Sequence, residues 1–135
     1  METYVSTIES RVNEIRASVP STLFAEAVLS NIGTAVCITD SKGYFVDVND
    51  EYCEFYGYSR EQLIGQHFTI VVPEENRPFA AALHDSFIHG GEEPPALWTV
   101  QNARGELKRI YVTPVRFEDE KGGTSKMTLI EPLAD

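Results

Sequence analysis

The chain has 135 residues, room for one domain with a core of its own and too little for two. Hydrophobic residues make up 42% and charged residues 24%, the balance of a folded chain rather than a disordered one. Lys and Arg number 11 against 21 Asp and Glu, and the resulting charge of −10 excludes a general nucleic-acid or anionic-membrane surface, because phosphates reward basic patches. No apolar run reaches the length of a membrane span. The opening residues lack the layout of a signal peptide. Two cysteines, Cys37 and Cys53, are too few for a disulfide scaffold, so a reduced, cytoplasmic chain is the expectation.

Residues 1–20 form the first unit. Val5, Ile8, Val12, Ile15 and Val19 recur at steps of three and four, the spacing of a heptad seam on an amphipathic helix. Two outcomes suit such a stripe: a helix laid across its own domain, or a contact between two copies. Pro20 breaks the helix, since it lacks the N–H that the ladder needs. A short second helix runs from Thr22 to about Ser30, and Asn31-Ile32-Gly33 closes it.

The second unit, residues 21–135, carries the strands. Thr34–Asp40 is a β-branched run, Ser41-Lys42-Gly43 is a turn signal, and Tyr44–Val48 is the returning strand. Asn49 suits a helix N-cap before a segment in which Tyr52, Phe55 and Tyr56 fall at helical spacing. Ser59 and Gln62 have the spacing of a capping box. Pro73–Asn76 leads into a longer helix over about Arg77–Ile88, where Phe79, Leu83 and Phe87 form one stripe. Three strands follow, at about Ala96–Asn102, Leu107–Phe117 and Thr124–Glu131. The order predicts an α+β fold: one five-stranded antiparallel sheet, short helices on one face, and room for a small ligand between them. Glu92-Glu93 and Glu118-Asp119-Glu120 lie beside turn signals and read as solvated loops.

The ordered set Asp40, Gly43, Asn49, Gly57-Tyr58-Ser59, Leu63-Ile64-Gly65 and Phe68, followed by Pro73-Glu74-Glu75, closely resembles a PAS domain across roughly residues 22–131. The resemblance implies a sensory and interaction module of signal transduction, without catalysis of its own. It implies a homodimer paired through the leading helix, with Val5, Ile8, Val12, Ile15 and Val19 at the interface. It also implies a signalling partner such as a sensor kinase, in trans or in one longer chain. Many relatives launch an effector helix from an Asp-x-Thr step, and here the last strand runs into Glu131-Pro132-Leu133 instead.

Within that family some domains hold haem or flavin and many have no known ligand, so the cofactor stays open. Light-oxygen-voltage photochemistry needs Gly-x-x-Cys, and the step after Gly65 ends in Phe68. Non-covalent flavin would draw on Trp98 for stacking and on Gln101 and Asn102 for hydrogen bonds. Haem would draw on His84, which opens a His-Asp-x-aromatic string like that of oxygen sensors, though a register shift of about a turn is needed. His67 and His89 are weaker candidates, and a lone histidine such as His84 is expected in a solvent-exposed or capping role. No spacing of His and Cys suits a metal, and no nucleophile elbow or P-loop is present.

Overall fold

A computed structural model describes residues 7–133. Helix α1 (Thr7–Ser18) is followed by a single 3-10 turn and α2 (Phe24–Asn31). Strands β1 (Ala35–Thr39) and β2 (Phe45–Val48) form a hairpin, and α3 (Asp50–Tyr56), α4 (Arg60–Leu63) and α5 (Arg77–Ile88) come next. Strands β3 (Ala96–Gln101), β4 (Leu107–Glu118) and β5 (Thr124–Pro132) complete the chain. The five strands make one antiparallel sheet in the order β2-β1-β5-β4-β3, so the last strand in sequence lies at the centre.

Local chemistry sets the element ends. Asn49 accepts a hydrogen bond from the Tyr52 N–H and caps α3, and Gly57 ends that helix at a φ of 77°, a conformation glycine adopts without penalty. Ser59 and Gln62 close a capping box at the start of α4. In the β1–β2 turn, Asp40 Oδ1 accepts from the Lys42 and Tyr44 N–H groups. Gly65 and Phe68 bond the outer edge of β2 through the backbones of Phe45 and Gly43, which covers an otherwise open strand.

The sheet is buried on both faces by different helices. Its inner face packs on α3 and α4 through a cluster that includes Cys37, Phe45, Tyr52, Tyr56, Leu63 and Ile110, and β5 also contacts α5. Its outer face packs on α1 and α2 through Ile8, Val12, Phe24, Val28, Met127 and Leu129. Because side chains alternate along a strand, β5 feeds both clusters. Lys126, Thr128 and Ile130 face inward, and Met127 and Leu129 face outward.

The described part of the leading stripe therefore packs on its own domain. Ile8 and Val12 are buried, while Ile15 and Val19 are half-buried against the same outer cluster. Val5 lies outside the described residues. Of the two outcomes open to the stripe, the helix laid across its own sheet is the one the fold adopts for Ile8 and Val12.

Two expectations need correction. The stripe expected on α5 is turned by one residue: Phe79 is 64% exposed, and the buried face is Ala80, His84, Phe87 and Ile88. Phe79 instead lies at the helix edge beside Trp98, with ring centroids 6.0 Å apart. Glu93 is not solvated, because the Lys126 ammonium of the central strand draws its carboxylate inside.

Candidate ligand site

A cavity lies between the inner face of the sheet, α3, α5 and the turn at Phe68 to Val72. Its volume is about 70 Å³. Apolar side chains such as Val72, Leu83, Val100 and Ile110 form much of the wall, with Trp98 and Phe68 also lining it. Polar side chains line it from several elements. Cys37 and Thr39 come from β1, His84 from α5, and Lys126 and Thr128 from β5. Glu93 adds a carboxylate from the segment joining α5 to β3.

The strongest polar feature is an ion pair. Lys126 Nζ lies 2.5 Å from Glu93 Oε1, and the two side chains are only 8% and 5% exposed. The Phe87 ring centroid lies 5.1 Å from the same ammonium. Taking two charges out of water costs several kcal/mol per ion, so the pair persists only because each partner neutralises the other. The segment bearing Glu93 is held at its start by Arg116, which donates to the carbonyls of Phe87 and Gly91.

His84 is 4% exposed, not at the surface. Its Nε2 lies 3.0 Å from the Asp40 carbonyl oxygen. Burial holds its pKa below the ordinary value of 6.5, and the neighbouring Lys126 charge lowers it further. The ring is thus neutral at pH 7, with Nε2–H donating to Asp40 and Nδ1 left as an acceptor. Burial also pushes the Cys37 thiol up to about 11, against hydrogen bonds from Tyr52 and Thr128 that favour the thiolate. The hydroxyls of Tyr52 and Tyr56 are raised by the same desolvation. Cys37 is accordingly a protonated, inert core thiol at neutral pH.

The structure brings His84 and Trp98 to one cavity and leaves Gln101 and Asn102 out of its lining. Gln101 alternates with Val100 along β3 and so faces the other side of the sheet. Asn102 orders the β3–β4 turn, accepting from the Arg104 and Glu106 N–H groups and donating to the Glu106 carboxylate. His67 bonds Thr69, and His89 lies 3.5 Å from Asp85 at the surface. Among the described residues no group of three or more His, Cys, Asp or Glu side chains could hold a metal ion. Likewise, none of the described helices is long and apolar enough to cross a membrane.

Neither haem nor flavin fits this arrangement. An engineered cavity that takes benzene measures about 150 Å³, twice the present space, and both cofactors are much larger than benzene. The His84 Nε2 that would face an iron is occupied by the Asp40 carbonyl. A molecule of a few heavy atoms matches the volume. Lys126 and Glu93 were missed by sequence reasoning because their partnership joins residues 33 apart, with no local signal beyond a lysine at an inward-facing strand position.

The comparisons agree with this fold. The PAS fold family model matches residues 23–126. The chain's fold is similar to the PAS domain of an HTR-like protein from Haloarcula marismortui, with 18% identity, 93% of this chain and 97% of that chain covered, and a TM-score of 0.62. A domain of a sensory box sensor histidine kinase/response regulator from Geobacter sulfurreducens shows 19% identity, 79% and 90% coverage, and a TM-score of 0.62. The PAS domain of a LuxR-family transcriptional regulator from Burkholderia thailandensis, in complex with ethanol, shows 19% identity, 82% and 97% coverage, and a TM-score of 0.63. No curated protein matches the chain. By the match of its sequence to the family model and by its five-stranded sheet with flanking helices, the chain belongs to the PAS fold family.

Proposed function

We propose that the chain is a non-catalytic sensory and interaction module. A small molecule occupies the cavity, the sheet relays its presence, and α1 presents the change to a partner. The observation that carries this reading is the double role of β5: Lys126, Thr128 and Ile130 line the cavity, and Met127 and Leu129 between them pack under α1 and α2. A shift of that strand moves both faces together, because close-packed side chains transmit displacement rather than absorb it.

The similarity to a domain of a sensor histidine kinase and to one of a transcriptional regulator supports a signalling context. The partner is a second copy or an effector such as a kinase, in trans or within a longer chain. Self-association would use surface that α1 leaves open beside Ile15 and Val19, since Ile8 and Val12 are already covered.

Glu93→Gln tests the coupling, since it alters the cavity and touches no residue of α1. Hydrogen exchange of the α1 amides and light scattering of the full chain are the readouts. Changed protection in α1, together with a shifted monomer–dimer balance, supports the reading. Unaltered α1 protection and an unaltered mass across concentrations would remove it.

A further inference from the structure

Lys126 carries a buried ammonium whose one hydrogen bond among the described residues goes to a carboxylate that does not belong to the sheet or to a helix. Glu93 sits in the segment Gly90–Pro95, between two glycines and two prolines. Arg116 fixes Gly91 on one side and β3 begins at Ala96 on the other, so only a few residues need move for Glu93 to leave. The remaining lining is largely apolar, and the space of about 70 Å³ accepts a short chain of carbon atoms. An ammonium carries three donors and Glu93 takes one of them.

From this arrangement we infer that the cavity binds a small monocarboxylate, of acetate to butyrate size, and that the incoming carboxylate takes the place of Glu93 on Lys126. Glu93 is then an internal stand-in for the ligand. It keeps the buried ammonium neutralised while the cavity is empty, and it moves to solvent when a free carboxylate supplies the same charge. The exchange leaves the number of buried charges unchanged, which avoids the desolvation cost of adding an unpaired ion. A neutral ligand would leave the Lys126–Glu93 pair in place and give the segment no reason to move. The ligand's alkyl end meets Val72, Leu83 and Ile110, and its head meets Lys126. The segment after Gly91 becomes the part of the molecule that differs between empty and filled states.

This inference rests on the proposed role of the cavity as a ligand site, and the test separates the two. Sodium propionate and its neutral isostere propionamide are titrated into the full chain, with binding followed by calorimetry and by the amide resonances of Gly91, Glu92 and Glu93. Propionate is expected to bind at least about tenfold more tightly than propionamide, a difference of about 1.4 kcal/mol, and to shift those three resonances. In Glu93→Gln, which removes the competing anion, propionate affinity is expected to rise about tenfold with propionamide unchanged. In the double variant Lys126→Met/Glu93→Gln, which leaves no unpaired charge, propionate loses its advantage. Propionamide binding as well as propionate, or no gain in Glu93→Gln, would overturn the carboxylate exchange while leaving a ligand-binding cavity standing. Binding of neither compound to any of the three proteins would overturn both.

Discussion

Replacing Asn49 by Ala removes four hydrogen bonds that tie α2, β1 and α3 together. Asn49 is 8% exposed, and its Oδ1 accepts from Tyr52 N–H at 3.1 Å and from Val36 N–H at 3.0 Å. Its Nδ2 donates to the carbonyls of Thr34 at 2.7 Å and Leu29 at 3.5 Å. Loss of the cap on α3 costs about 1 kcal/mol. The Val36 N–H is then left buried without an acceptor, worth about 1–3 kcal/mol. The Leu29 contact is long and contributes little. Asn49→Ala should therefore lower stability by about 3 kcal/mol, which for a chain of this size is a fall in Tm of roughly 10 °C. Asn49→Ser keeps a capping oxygen for Tyr52 but is too short to span to Val36, so it should lose about 1 kcal/mol less. Urea titration followed by circular dichroism measures both, with an unchanged m-value as the check on two-state behaviour. A loss under 1 kcal/mol in Asn49→Ala, or equal losses in the two variants, would refute the account of Asn49 as the junction of α2, β1 and α3.

The remaining predictions concern the cavity. Glu93→Gln should cost about 3–5 kcal/mol, because it strands the Lys126 ammonium fixed in the central strand, and adding Lys126→Met should recover most of that loss in denaturant titrations. His84 has a folded pKa below 6.5, so the unfolded chain binds the proton more readily. Stability from this group is complete above pH 6.5 and is lost as pH falls from there through the lower folded value. His84→Gln, whose amide can still donate to Asp40, should flatten that part of the pH–stability curve; an unaltered slope there would show that His84 does not titrate as described. The burial-raised Cys37 thiol should resist a thiol reagent at pH 8 while the half-buried Cys53 reacts, giving one fast and one slow modification in native protein and two fast ones in denaturant.

Short-range chemistry was readable from residue order. The turn at Asp40 to Gly43, the cap at Asn49, the capping box at Ser59 and Gln62, and the bounds of α5 all depend on neighbours within a few positions. The three closing strands and the turns between them, and hence an antiparallel sheet with helices on one face, followed from the same kind of local pattern; the covering of the other face by α1 and α2 did not. The phase of α5 did not, since Phe79 is more apolar than His84 and only the docked sheet decides which of them turns inward. Nor did the fate of the leading stripe, because heptad spacing describes an apolar face and says nothing of whether its own sheet or another chain covers it. Glu93 illustrates the limit most clearly. In sequence it is one acid in a turn-rich segment, and in the fold it becomes the counter-ion of a strand residue 33 positions away. A pairing over that distance is set by how α5 packs and where β5 enters the sheet, and such placement exists only once the whole chain has closed around its core.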